Sequence, residues 1–254
     1  MDIESMLGDS DINILVKFVE PQFVETTMDG NFYFARNKFF IELEEQEVNK
    51  GIADKHEGSW SRVLDDSHKM FIEVDGEMIP LHFNTAVVHN RYEEISQLPI
   101  CCFVFLSLKK DFEIIPNTNK VKMKSEIEKS LRKQFFGRHL ILFRDISATL
   151  DRFDKSIEKM EYTFSRKLVK YYDDKTSPHP LPKEEYEANP TKALFYKSRF
   201  FEYQKEYRIV ITKLLDNDVI VPLGDIKDIA ADLGIVEIDK ELPLEVIFKE
   251  EVNN

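Results

Sequence analysis

The run Ile100-Cys-Cys-Phe-Val-Phe-Leu-Ser-Leu108 is apolar almost from end to end and has the length of one strand. A strand with one wet face alternates apolar and polar residues, so a run without alternation belongs in a sheet covered on both sides. This segment is therefore expected at the centre of a sheet.

The other segments supply neighbours for it. Ile12 to Val19 alternates, with Ile14, Val16 and Phe18 on one face and Lys17 on the other, as in a half-buried strand. A short helix is expected after Pro21, ending at Asp29-Gly30, and Asn31 to Arg36 reads as an aromatic strand. Phe39 to Val48 reads as a helix with a wet, Glu-rich face. Lys69 to Val74 and Glu77 to Phe83 flank Asp75-Gly76, a pair that tolerates the positive φ angles of a tight hairpin. Ser125 and Glu128 have capping-box spacing ahead of a helix that should stop at Gly137. His139 to Phe143 reads as a strand, Ala148 to Met160 as a helix and Glu161 to Tyr172 as a strand. The proline-rich, charged stretch 173–190 reads as an exposed loop. Thr191 to Ser198 should be helical, Tyr203 to Thr212 a strand, Val219 to Pro222 and Leu244 to Phe248 strands, and Gly224 to Leu233 a short helix. The order is mixed rather than a repeating βα pattern, which predicts one α+β domain over 1–254. Its core should be a mixed, largely antiparallel sheet with packed helices.

A formal net charge of −12 over 254 residues disfavours non-specific attraction to nucleic acid or anionic lipid. The stretch Lys120 to Lys133 alternates Lys, Glu and Arg and reads as a solvated helix face. The two cysteines, Cys101 and Cys102, are neighbours in the apolar run, where a disulfide between them would be strained. They read as core residues of a reducing compartment. The acidic start, MDIESMLGDSD, lacks a signal-peptide pattern, and no apolar stretch reaches bilayer length. These features predict a cytoplasmic protein with no membrane partner.

The segment Phe200-Phe-Glu-Tyr-Gln-Lys-Glu-Tyr-Arg-Ile-Val-Ile211 carries the strongest chemical signal. Read as a strand, it puts Glu202, Gln204, Glu206 and Arg208 on one side and Phe201, Tyr203, Tyr207, Ile209 and Ile211 on the other. Carboxylates and an amide can bind sugar hydroxyls, and a guanidinium fork suits phosphate. The same row would also serve as a solvent-facing strand with cross-strand ion pairs. Asp54, His56 and Glu57, between Gly51 and Gly58, form a second cluster whose chemistry would suit a cation or a phosphate-adjacent turn, but its spacing fits no established metal motif and it reads as a hydrated loop. His82 and His89 read as structural. No Gly-rich phosphate loop, Gly-x-Ser-x-Gly elbow or zinc-protease helix is present, and no metal is expected.

Phe195-Tyr-Lys197 followed by Phe201-Glu-Tyr-Gln-Lys-Glu-Tyr-Arg-Ile209 resembles the carboxy-terminal signature of uncharacterised bacterial proteins grouped as domains of unknown function. Those families also share an aromatic strand like Asn31 to Arg36 and an acidic turn like Gly51 to Gly58. The late motif is similar, too, to the ADP-ribosyltransferase pattern, in which a Gln or Glu lies two positions before a catalytic Glu. That resemblance implies NAD as cofactor, Glu206 as the group steadying charge on the ribose as nicotinamide leaves, and Gln204 as the group orienting the acceptor. Where that family's first strand brings Arg or His to the cofactor, this chain has Lys17, and its Ser-Thr-Ser strand is absent. Tyr33 would supply a stacking surface, and Arg36 and Arg208 would meet the cofactor. Two functions are open on this reading: an NAD-binding or NAD-cleaving enzyme, or a non-catalytic protein that recognises a nucleotide or a protein partner in bacterial or phage conflict. The second would use the acidic Glu42 to Glu47 face, and the sequence leaves the oligomeric state open.

Overall fold

A computed structural model describes residues 12–45 and 56–248, except the side chains of residues 43–45. Its first part contains β1 (Asn13–Val19), α1 (Val24–Met28), β2 (Asn31–Arg36) and α2 (Asn37–Glu45). An arm comes next, built from β3 (Trp60–Asp65), β4 (Met70–Val74), β5 (Glu77–Leu81) and β6 (Thr85–Asn90). The middle holds β7 (Pro99–Ser107), α3 (Leu108–Asp111), β8 (Phe112–Ile114), β9 (Lys120–Met123), α4 (Ser125–Gln134), β10 (His139–Phe143) and α5 (Ile146–Lys159). The last part holds β11 (Phe164–Leu168), β12 (Lys170–Tyr172), α6 (Lys183–Ala188), β13 (Tyr196–Ser198), β14 (Glu206–Ile211), β15 (Val219–Pro222), β16 (Ala230–Ile235) and β17 (Val246–Ile247).

The fold is α+β, and its main sheet is antiparallel, in the order β11-β14-β7-β1-β10-β16. As its apolar run requires, β7 lies inside that sheet. One side packs against Phe153 and Ile157 of α5, which meet Phe32, Phe34, Phe103 and Ile141. On the other, Leu131 of α4 meets Val16, Val104, Leu106 and Leu140. Helix α5 starts where Asp145 accepts the Ala148 N–H at 2.8 Å. Asp145→Ala is expected to lower stability by about 1 kcal/mol in urea unfolding, the usual cost of losing such a cap.

The sheet forks beside β7. Strand β1 pairs with β7 only from Asn13↔Ser107 to Val16↔Val104, then continues along β10 alone. The start of β7 pairs instead with β2, at Ala35↔Ile100 and Arg36↔Pro99. Residues 101–103 of β7 thus face an opening on this side, while β14 covers their other edge through Arg208↔Cys102 and its neighbours.

Several expectations need correction. Gly224 to Leu233 is not a helix: a turn leads into β16, whose pairing with β10 extends the sheet, and that tertiary pairing outweighs local pattern. Ser125 is the first helical residue rather than the cap, and Glu128 instead accepts the Leu242 N–H at 2.8 Å. The stretch 173–190 is not a bare exposed loop, since it carries α6 and buries His179, Leu181 and Tyr186. Glu161 to Tyr172 is divided into β11 and β12, and residues 190–195 form a 3₁₀ turn ahead of β13. The expected helix face from Lys120 begins as β9. The hairpin β4–β5 has the expected turn, with φ of 51° at Asp75 and 85° at Gly76. The expected end of α2, at 46–48, lies outside the described residues.

Candidate functional site

A cavity of about 760 Å³ occupies the fork. Seven phenylalanines line it, among them Phe18, Phe32, Phe103 and Phe135. Its polar wall is a buried charge cluster drawn from three separate parts of the chain. Glu57, Lys197, Glu206 and Arg208 are only 2, 3, 8 and 2 % exposed.

The cluster is closed by mutual bonds. Lys197 Nζ donates to Glu206 Oε1 at 2.8 Å and to Gln204 Oε1 at 2.7 Å, and lies 3.4 Å from Glu57 Oε2. Arg208 donates from Nε to Glu206 Oε2 at 2.5 Å and from Nη2 to Glu57 Oε2 at 3.1 Å. Its Nη1 serves Glu57 Oε1 and the Leu194 carbonyl. Two cations thus balance two carboxylates away from water, the condition under which buried charge is tolerated. Burial alone would raise the Glu206 pKa, but the Arg208 and Lys197 charges outweigh it and bring it down to about 2. For Arg208, burial works against the charge and is outweighed by the Glu206 and Glu57 carboxylates, so its pKa is raised. The Glu206 backbone N–H donates to the Tyr171 hydroxyl at 2.9 Å, and burial, then the Glu206 charge, raises that phenol's pKa.

Local backbone geometry aims these groups. Gln204 ends a 3₁₀ turn (Arg199–Gln204), Lys205 is left-handed with φ 45°, and β14 begins only at Glu206. The expected alternation through Glu202 and Gln204 is therefore wrong: Glu202 is exposed beside Arg199. Reversal of the chain at Lys205, rather than strand pleating, brings Gln204 and Glu206 to the same lysine. Glu57 also departs from expectation, being a central member of the cluster instead of a hydrated loop residue. Asn37, itself fully buried, donates to the Glu57 carbonyl at 3.3 Å. Gly58 comes next with φ +71°, and a Cβ there would lie 2.6 Å from Ile95 Cγ2 and 2.9 Å from Leu194 Cδ2. Gly58→Ala is expected to cost about 2 kcal/mol or more, from left-handed strain plus overlap, read as a lower urea midpoint. Asp54 lies outside the described residues, and His56 stacks on His89 at 3.6 Å.

Lys17 reaches across the fork. Its Nζ donates to the Cys102 carbonyl at 2.9 Å and to Cys101 Sγ at 3.4 Å, and sits 4.9 Å from the centre of the Phe103 ring. Among the described residues it makes no ion pair. Burial pushes the Cys102 thiol up to about 12, with the Glu206 charge adding to it, and burial also raises Cys101; neither favours the nucleophilic thiolate.

Compared with known proteins, the chain matches no family model, no curated sequence and no solved structure.

Of the residues singled out from sequence, Lys17, Tyr33, Gln204, Glu206 and Arg208 line this cavity. Arg36 does not line it. Its Nε and backbone N–H donate to Asp218 Oδ1 at 3.1 and 2.9 Å, and its Nη1 to the Asp216 carbonyl. Tyr33 also turns its hydroxyl to Asp218, and burial followed by that hydrogen bond raises its pKa to about 12. Lys197 and Glu57 are the site residues that sequence reasoning missed. Both lie inside motifs that stood out in the sequence, and an acidic residue immediately before a left-handed glycine was the available sign of a fixed backbone. Among the described residues no metal-binding cluster forms and no helix is long and apolar enough to cross a membrane.

Proposed function

We propose that this protein binds a small organic anion of nucleotide type in the fork of its sheet, with Lys17 holding the negative charge. The observation that carries this reading is a lysine ammonium facing an aromatic cavity with no carboxylate partner among the described residues. An anion arriving there would give this half-buried ammonium the charge partner it lacks. The phenylalanine rings and Tyr33 offer faces for a planar body, and about 760 Å³ falls within the range of small-molecule sites. Thermal-shift titration with cyclic AMP, AMP and NAD tests it. At least one should raise the melting temperature of the wild type, and Lys17→Met should remove that shift; no shift with any of the three would end the nucleotide reading.

A second reading, NAD cleavage, is favoured by one feature: Gln204 and Glu206 stand side by side in the cavity wall, joined through Lys197. An ionised Glu206 is suited to steadying positive charge on a sugar, although both of its oxygens already accept bonds. Purified protein should then release nicotinamide, and Glu206→Gln, checked for folding by circular dichroism, should lose that release. Absence of turnover with water or protein acceptors leaves the protein as a binder.

A further inference from the structure

The charges lining the cavity restrict what it can hold. Lys17, Arg138, Lys197 and Arg208 face Glu20, Glu57 and Glu206, so four cations against three carboxylates leave one positive charge. Lys197 and Arg208 are consumed by Glu57 and Glu206, and Arg138 lies 3.3 Å from Glu20. Lys17 supplies the remainder. With two of its donors spent on Cys101 and Cys102, one of three N–H groups is left for a ligand. A second donor is close by: Gln134 lines the same cavity, and its Nε2 is buried with no hydrogen-bond partner among the described residues.

We infer that the ligand is a singly charged anion on a planar, largely apolar body that also bears a hydrogen-bond acceptor: a cyclic nucleotide's phosphodiester or an aryl carboxylate, not a pyrophosphate. This rests on the anion-binding reading and narrows it. A pyrophosphate carries two charges into a cavity that neutralises one, and the second would lie against phenylalanine rings without a counter-charge, a costly position. A single charge is met by Lys17, the rings cover the body, and Gln134 takes the acceptor.

The test is calorimetric titration of the full chain with four probes: cyclic AMP, 2-naphthoate, its neutral amide, and ADP-ribose. Binding of cyclic AMP or naphthoate is expected to be about ten-fold or more tighter than that of ADP-ribose, and naphthoate about ten-fold tighter than the amide. Lys17→Met should erase the preference for naphthoate while the amide still binds, which also reports that the variant is folded. Gln134→Leu should weaken cyclic AMP and leave the Lys17-dependent preference intact. Tightest binding of ADP-ribose overturns the single-charge inference and leaves the anion-binding reading standing, whereas equal binding of acid and amide by the wild type overturns that reading as well. Failure of all four probes overturns both.

Discussion

Arg208→Met is expected to lower the unfolding free energy by about 3–5 kcal/mol, the usual cost of removing one partner from a buried ion pair. The guanidinium serves both oxygens of Glu57, one of Glu206 and the Leu194 carbonyl. Its loss leaves two carboxylates, 2 and 8 % exposed, to Lys197 alone. Methionine replaces the apolar stem but not the guanidinium, so the loss includes its hydrogen bonds and some packing along with the charge. The double variant Arg208→Met with Glu57→Met restores the charge balance and should recover a large part of the loss, because a well-packed apolar pair often replaces a buried ion pair at little cost. Urea unfolding of the two variants checks this, and a loss under about 1 kcal/mol in the single variant, as for an exposed pair, would mean that the cluster is wet.

Glu206→Gln should produce the next largest effect, visible as a changed acid limb. The Glu206 pKa lies below its usual 4.5, at about 2. A depressed carboxylate contributes stability that is fully present above its unfolded value and is lost as the pH falls through its folded one. The window for Glu206 therefore runs from about 4.5 down to about 2. The variant loses the charge that Lys197 and Arg208 bond to. It should be less stable than wild type at neutral pH by about 1.5–3 kcal/mol, the usual worth of hydrogen bonds to a charged group, and the gap should narrow as the solution is acidified through the window. Parallel stability curves would show that Glu206 is not charged by its neighbours in the folded state.

What sequence shows of this protein divides along physical lines. Where one segment sets its own structure, reading it sufficed: the apolar run of β7, the Asp75-Gly76 turn and the strands Asn31–Arg36 and His139–Phe143 come from period and turn chemistry. Elements fixed by distant partners were misread. Strand β16 exists because β10 offers an edge, and β14 starts late because Lys205 turns left-handed. The site was half legible for the same reason. Lys17, Gln204, Glu206 and Arg208 stood out by residue type and spacing, and the fold brings them to one cavity. Glu57 looked like a hydrated loop carboxylate because nothing local marks its burial. Only the approach of Lys197 and Arg208, more than a hundred residues away, makes a buried acid tolerable there. Arg36 carried the right chemistry but lies against Asp218, a partner no local pattern announces.

Binding as proposed depends above all on contact between Lys17 and the anion. Lysine labelled with carbon-13 at the ε position gives one proton–carbon cross-peak per side chain, and the Lys17 peak is assigned by its absence in Lys17→Arg. On titration with 2-naphthoate this peak should move saturably, with the same midpoint as the heat of binding, while the peak of Lys197, already held by Glu206 and Gln204, should move little. A Lys17 peak that stays in place while naphthoate saturates the protein would contradict the account.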